Sequence, residues 1–145
     1  MKTREDVLSF ISSVLFSVAL IVALPASLNA ALLFGRRGHL EFETLGQLGL
    51  VSLAVIGIGL VLCWTQYIKK IKSAWFLLLL ILCGWTFPVF VLPHLIHANP
   101  DLTKAAWFWL AIHNAVARHA LMQSTFMVLL MVTGLALPFK SIFWR

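Results

Sequence analysis

Five polar residues interrupt an otherwise apolar stretch between Trp107 and Lys140. They are His113, Asn114, Arg118, His119 and Gln123. Histidine nitrogens bind metals and transfer protons, and an arginine guanidinium binds carboxylates and phosphates. Inside a membrane such side chains are costly, and by default they indicate a ligand or partner contact. These residues are therefore the main functional candidates in the sequence.

Helical spacing divides the five residues between separate stripes. At about 100° per residue, Asn114 and Arg118 align on one stripe, and His119 and Gln123 align on a second. His113 lies about 240° from His119, so these two histidines are unable to bind one metal ion from a single regular helix. The sequence predicts no metal site, and it predicts contact with a ligand or partner at Asn114, Arg118, His119 and Gln123.

The composition is that of an integral membrane protein. Of 145 residues, 61% are hydrophobic and 11% are charged, more apolar surface than a small soluble domain buries. Apolar runs at about 7–34, 45–67, 74–92 and 105–137 are each long enough to cross a bilayer. They lack the alternating pattern of barrel strands. The sequence predicts one all-α membrane domain, residues 1–145, with four transmembrane helices in an antiparallel bundle and an unusually long last helix.

Basic residues predict the orientation of this bundle. The two terminal segments and the second connection carry seven Lys or Arg, whereas the first and third connections carry three. Because basic flanks stay on the cytoplasmic side, both termini are predicted to be cytoplasmic, in a bacterial-type inner (plasma) membrane. The formal charge of +6 is attributed to orientation and to anionic headgroups. No nucleic-acid partner is predicted, since no single basic face with interleaved aromatics is present.

Small residues predict the faces by which the helices pack. Small residues recur near one face of the first run, namely Ser9, Ser13, Ala23, Ser27 and Ala31. Gly46, Gly49 and Gly57 share a face of the second run. Residues of this size let helices approach closely in lipid, where apolar burial supplies no driving force between helices.

Several other residues carry local expectations. Pro88 is expected to weaken or kink the third helix, and Pro138 is expected to end the last one. The aromatic residues Trp64, Tyr67 and Trp75 are predicted to mark a membrane interface. Cys63 and Cys83 form no CxxC pair and are interpreted as small buried side chains.

The motifs of common enzymes are absent from the sequence: it has no paired carboxylates, serine elbow, metal cluster or glycine-rich phosphate loop. No catalytic residue is assigned. No Asp or Glu lies within the four runs, so a buried Arg118 needs an anion from a lipid, a ligand or another subunit. An Arg118 near the membrane surface would instead be within reach of Glu41 or Glu43. The predicted function is a non-enzymatic subunit or accessory protein of a larger membrane assembly, in contact with lipid and with other integral subunits or copies of itself.

Two alternatives remain open. A membrane anchor for electron transfer would bind haem b or quinone, with axial histidines from two helices. Its candidate ligands are His94 or His97 on the third helix and His113 or His119 on the fourth. A small homo-oligomeric channel or transporter would instead use the small-residue faces for self-association.

Overall fold

The computed structural model describes residues 4–32, 40–92 and 117–144, with side chains for 4–32, 44–92 and 123–144. Its elements are helical throughout the described part: α1 (Arg4–Ala31), α2 (Leu40–Leu62) with the π-helical continuation π1 (Cys63–Tyr67), α3 (Lys72–Ile81) with the continuation π2 (Leu82–Val91), α4 (Ala117–Ala136) and α5 (Phe139–Phe143). The prediction of an all-helical protein is confirmed.

Among the residues that the structure describes, four helical segments are long and apolar enough to cross a membrane. They are Arg4–Ala31, Thr44–Tyr67, Lys72–Val91 and Gln123–Phe143. This number agrees with the four predicted helices. Residues 105–116, the predicted beginning of the last helix, lie outside the described residues, so its unusual length stays a prediction.

Helix α1 packs against both α2 and α4 through small side chains. Ser9, Ser13, Ala23 and Ser27, four of the five small residues predicted for this face, are buried, and Ala31 is partly buried. The large apolar side chains of α1 are divided: Phe16 and Leu20 are buried, whereas Ile21 is half exposed. The small residues allow the helix backbones to approach closely in lipid.

Two glycines lie close to the backbone of α1. A Cβ on Gly49 would overlap the backbone of Ala31, and a Cβ on Gly134 would lie 3.1 Å from the carbonyl oxygen of Ser12. Gly57 was predicted to share the packing face with Gly49, and this was wrong. It is exposed, and a Cβ added to it would meet no atom within 4 Å, because it lies on the side of α2 that faces away from the other helices.

An ion pair links the turn that follows π1 to the start of α1. Lys70 lies between π1 and α3 in the left-handed region, with φ 61°, which costs about 1 kcal/mol in a residue with a Cβ. Its Nζ lies 2.9 Å from Asp6 Oδ1 and 3.6 Å from Glu5 Oε2. We call this end of the helices the basic end, after its residues Arg4, Lys69, Lys70, Lys72 and Lys140.

Candidate functional site

For two of the four predicted contact residues the structure describes the backbone but not the side chain. Arg118 and His119 belong to the first turn of α4, and their side chains lie outside the described residues. Asn114 lies outside them altogether, as do the haem-ligand candidates His94, His97 and His113. Contact at these positions therefore stays a prediction.

Gln123 is the predicted contact residue whose side chain is described. Its amide Nε2 donates a hydrogen bond to the backbone carbonyl of Val22 in α1, at 2.8 Å. Pro25 lies in the same turn of α1 and has no N–H to offer this helix. The hydrogen bond therefore ties α4 to a weakened turn of α1, which gives Gln123 a role within the chain.

A second set of polar contacts joins π1 to α1. Ser13 Oγ donates to the carbonyl of Cys63 at 3.2 Å, and Trp64 Nε1 donates to Ser17 Oγ at 3.0 Å. The Cys63 carbonyl also accepts the N–H of Ile68, five residues later. A π-helical turn is wider than an α-helical one, and such turns often leave backbone groups open to outside partners. The serine face of α1 supplies those partners.

The longer π-helical segment, π2, turns two consecutive side chains into the interior. Trp85 Nε1 donates to Ser52 Oγ in α2 at 2.9 Å, and the Thr86 hydroxyl donates to Met131 Sδ in α4 at 3.2 Å. Trp85 and Thr86 are both buried. Pro88 lies within this segment, so the predicted disturbance of the third helix takes the form of π-helical winding.

Two aromatic side chains meet the end of α4. Tyr67 donates from its hydroxyl to the carbonyl of Gly134, and Trp75 Nε1 donates to the carbonyl of Leu135 at 2.9 Å. Tyr67 is 1% exposed, so its ring is packed among the helices, and its position at a membrane interface stays a prediction. The sequence signal for an open Gly134 carbonyl was Pro138, which follows Gly134 by one helical turn and lacks the N–H that would serve that carbonyl.

The cysteines differ from each other. Cys63 is buried as predicted, whereas Cys83 is exposed, and for Cys83 the interpretation as a buried side chain was wrong. In the described ranges no group of three or more His, Cys, Asp or Glu is arranged to hold a metal ion.

The described polar side chains thus form hydrogen bonds between helices. Serine, threonine, tryptophan, tyrosine and glutamine groups from α1, α2, π1, π2, α3 and α4 bind one another or helix carbonyls. Interhelical hydrogen bonds of this kind contribute about 0.6 to 2 kcal/mol each in membrane proteins. Their chemical role is to fix helix positions.

No family model, curated protein or solved structure matches this chain.

Proposed function

We propose that this chain is a non-enzymatic integral membrane subunit or accessory protein of a larger assembly in a bacterial-type inner membrane. The observation that carries the proposal is the use of interior polar groups as links between helices. Seven such hydrogen bonds fasten the helices to each other in the described part. Such a bundle is suited to a structural role in an assembly, because its interior polar groups are hydrogen-bonded to one another.

In the proposed topology the helices form an antiparallel bundle with both termini in the cytoplasm. Contacts support the arrangement: Lys70, after α2 and π1, pairs with Asp6 at the start of α1. Gly49, near the start of α2, meets Ala31 at the end of α1. The basic end thereby gathers five Lys or Arg, and the positive-inside rule assigns such an end to the cytoplasm.

The contact with the partner is proposed at the opposite end, on the first turn of α4 and the residues before it. Asn114, Arg118 and His119 are the residues assigned to it. Leu135 lies at the basic end through its hydrogen bond with Trp75, and Arg118 precedes it by about 25 Å of helix. Glu5 and Asp6 lie at the basic end with Lys70. They are therefore too far away to neutralise Arg118.

The remaining acids of the chain are Glu41, Glu43 and Asp101. An arginine in lipid stays charged and requires a carboxylate, a phosphate or several carbonyls. In our proposal an anionic group of the partner subunit meets this requirement, with a lipid headgroup or ligand as the alternative source.

Purification in a mild detergent, followed by native mass spectrometry, tests the proposal. We expect a complex of fixed stoichiometry that Arg118→Gln weakens and Lys69→Gln leaves intact. Lys69→Gln is the matched control because it removes one positive charge from an exposed side chain at the basic end. A well-behaved monomer with neither partner nor bound ligand would contradict the proposal.

The alternative functions give different results in the same preparation. A Soret band with visible bands that sharpen on reduction would identify a haem-binding anchor and overturn the proposal. Ion or solute flux in liposomes containing only this chain, abolished by Arg118→Gln, would identify a channel and overturn it equally.

A further inference from the structure

An apolar groove runs along the surface between the third and fourth membrane segments. Its volume is about 380 Å³, within the range of small-molecule sites in proteins. Trp75, Leu79 and Leu82 recur at helical spacing along one wall and span about 10 Å. Val132, Ala136 and Phe139 form the other wall. The groove is therefore apolar, and its length of about 10 Å accommodates part of a hydrocarbon chain.

The end of this groove is the basic end of the protein. The Trp75 and Phe139 rings lie 5.5 Å apart there. Lys72 precedes Trp75 by three residues in α3, and Lys140 follows Phe139 directly. The Lys72 ammonium lies 5.8 Å from the centroid of the Phe143 ring, which keeps it over α5. Two positive charges thus stand within about one helical turn of the groove.

These two lysines differ from Lys70 in their electrostatic partners. Lys70 is paired with Asp6 and Glu5, and its side chain is 8% exposed. Lys72 and Lys140 are exposed, and in the part of the chain that the structure describes neither makes an ion pair with a carboxylate. Their charge is therefore available to an anion outside the protein.

We infer that this groove and its two lysines form a binding site for one anionic phospholipid. An acyl chain occupies the groove between Leu82 and Phe139, and the headgroup phosphate lies between Lys72 and Lys140. Charge selects the occupant, because basic pockets between transmembrane helices bind anionic headgroups, whereas a zwitterionic lipid supplies no net charge to complement them. The Trp75 ring, packed against Phe139, lies where the headgroup and the acyl chain join, the position that tryptophan favours.

This site needs no partner subunit, so its test is independent of the proposed function. The full chain in detergent is incubated with phosphatidylglycerol or with phosphatidylcholine of identical acyl chains, and retained lipid is measured by native mass spectrometry. We expect one phosphatidylglycerol to be retained in preference to phosphatidylcholine. Lys72→Gln should lower that retention about fivefold, the loss expected for one lysine near an anionic headgroup.

Two matched controls make the result specific. Lys69→Gln removes the same charge from the same end, and we expect it to leave retention unchanged. Equal losses for Lys69→Gln and Lys72→Gln would show diffuse attraction to the basic end and would overturn the site. Ala136→Trp fills the groove and should abolish retention, whereas Ala54→Trp, on an exposed face of α2, should preserve it.

Equal retention of the two lipids, or equal retention by Ala136→Trp and Ala54→Trp, would also overturn the inference. The lysine variants change only exposed side chains, so they decide the headgroup contact even where a tryptophan disturbs packing.

Discussion

The hydroxyl of Tyr67 donates to the backbone carbonyl of Gly134 at 2.5 Å. In a regular α-helix that carbonyl would accept from the residue four positions later, which is Pro138. Proline has no N–H, so the tyrosine takes the place of the missing backbone donor. Because Tyr67 is 1% exposed, no water replaces it. A side chain from the end of the second membrane segment therefore supplies a hydrogen bond that the fourth segment lacks.

Tyr67→Phe is expected to lower the free energy of unfolding by about 1 to 3 kcal/mol, the cost of leaving one buried carbonyl unsatisfied. The loss should shrink when Pro138→Ala is also present, since the new amide N–H is able to serve Gly134. A double-mutant cycle in mixed micelles, with unfolding followed by circular dichroism, measures this coupling. Strictly additive effects would show that the tyrosine acts through packing alone.

Gln123→Met keeps the length of the side chain and removes the donor to Val22. We expect a loss of about 1 kcal/mol in unfolding free energy, typical of an interhelical hydrogen bond in a membrane protein. Gln66→Met makes the same chemical change on an exposed side chain and should have little effect. Hydrogen exchange of the α1 amides around Val22 provides the local measurement. Unchanged exchange in Gln123→Met would contradict the proposed link between α4 and α1.

Gly49→Ala is expected to destabilise the protein by about 1 to 3 kcal/mol, as overpacking does in a tight interface. Its Cβ would meet the backbone of Ala31 and would lie 2.7 Å from the carbonyl carbon of Ala30, atoms that are unable to move aside alone. Gly57→Ala meets open space and should stabilise α2 by up to about 1 kcal/mol. Thermal midpoints of the two variants in one detergent check the opposite signs; equal shifts would refute the close approach.

Ser52→Ala removes the acceptor for the indole N–H of Trp85. Both groups are buried, so we expect a loss of about 1 to 3 kcal/mol. Ser9→Ala is the control, since the Ser9 hydroxyl donates to a carbonyl of its own helix, that of Glu5. Chemical unfolding of both variants, followed by tryptophan fluorescence, gives the comparison. A Ser9→Ala loss as large as that of Ser52→Ala would argue against a special role for the indole contact.

The helical class and the number of membrane segments followed from composition, because lipid leaves few ways to satisfy a backbone. The buried serines of α1 were also predictable from their spacing. The π-helical segments were not, since their winding depends on partners such as Ser13 and Ser17 on another helix. The same limit applies to Gly57, whose outward direction depends on which side of α2 meets α1.

The candidate site was predictable as a set of polar residues in the last helix and much less so as a set of contacts. Gln123 was recognisable as costly in lipid, but its partner is a backbone carbonyl of Val22 that no side-chain pattern marks. Tyr67 was recognisable as an aromatic residue next to a basic turn. Its hydrogen bond to the Gly134 carbonyl was not predictable, because it depends on which helices pack together.

The position of α1 between α2 and α4 has a consequence for biosynthesis. Helix α1 is synthesised before α4, which becomes its neighbour, so the serine face of α1 stays in lipid until α4 is made. Ser9, Ser12 and Ser27 are suited to that interval, because their hydroxyls donate to carbonyls of α1 itself. The hydroxyl of Ser13 acquires its acceptor only when the second segment arrives. Chains stalled before α4 should therefore present an unfinished surface that membrane quality control is able to recognise.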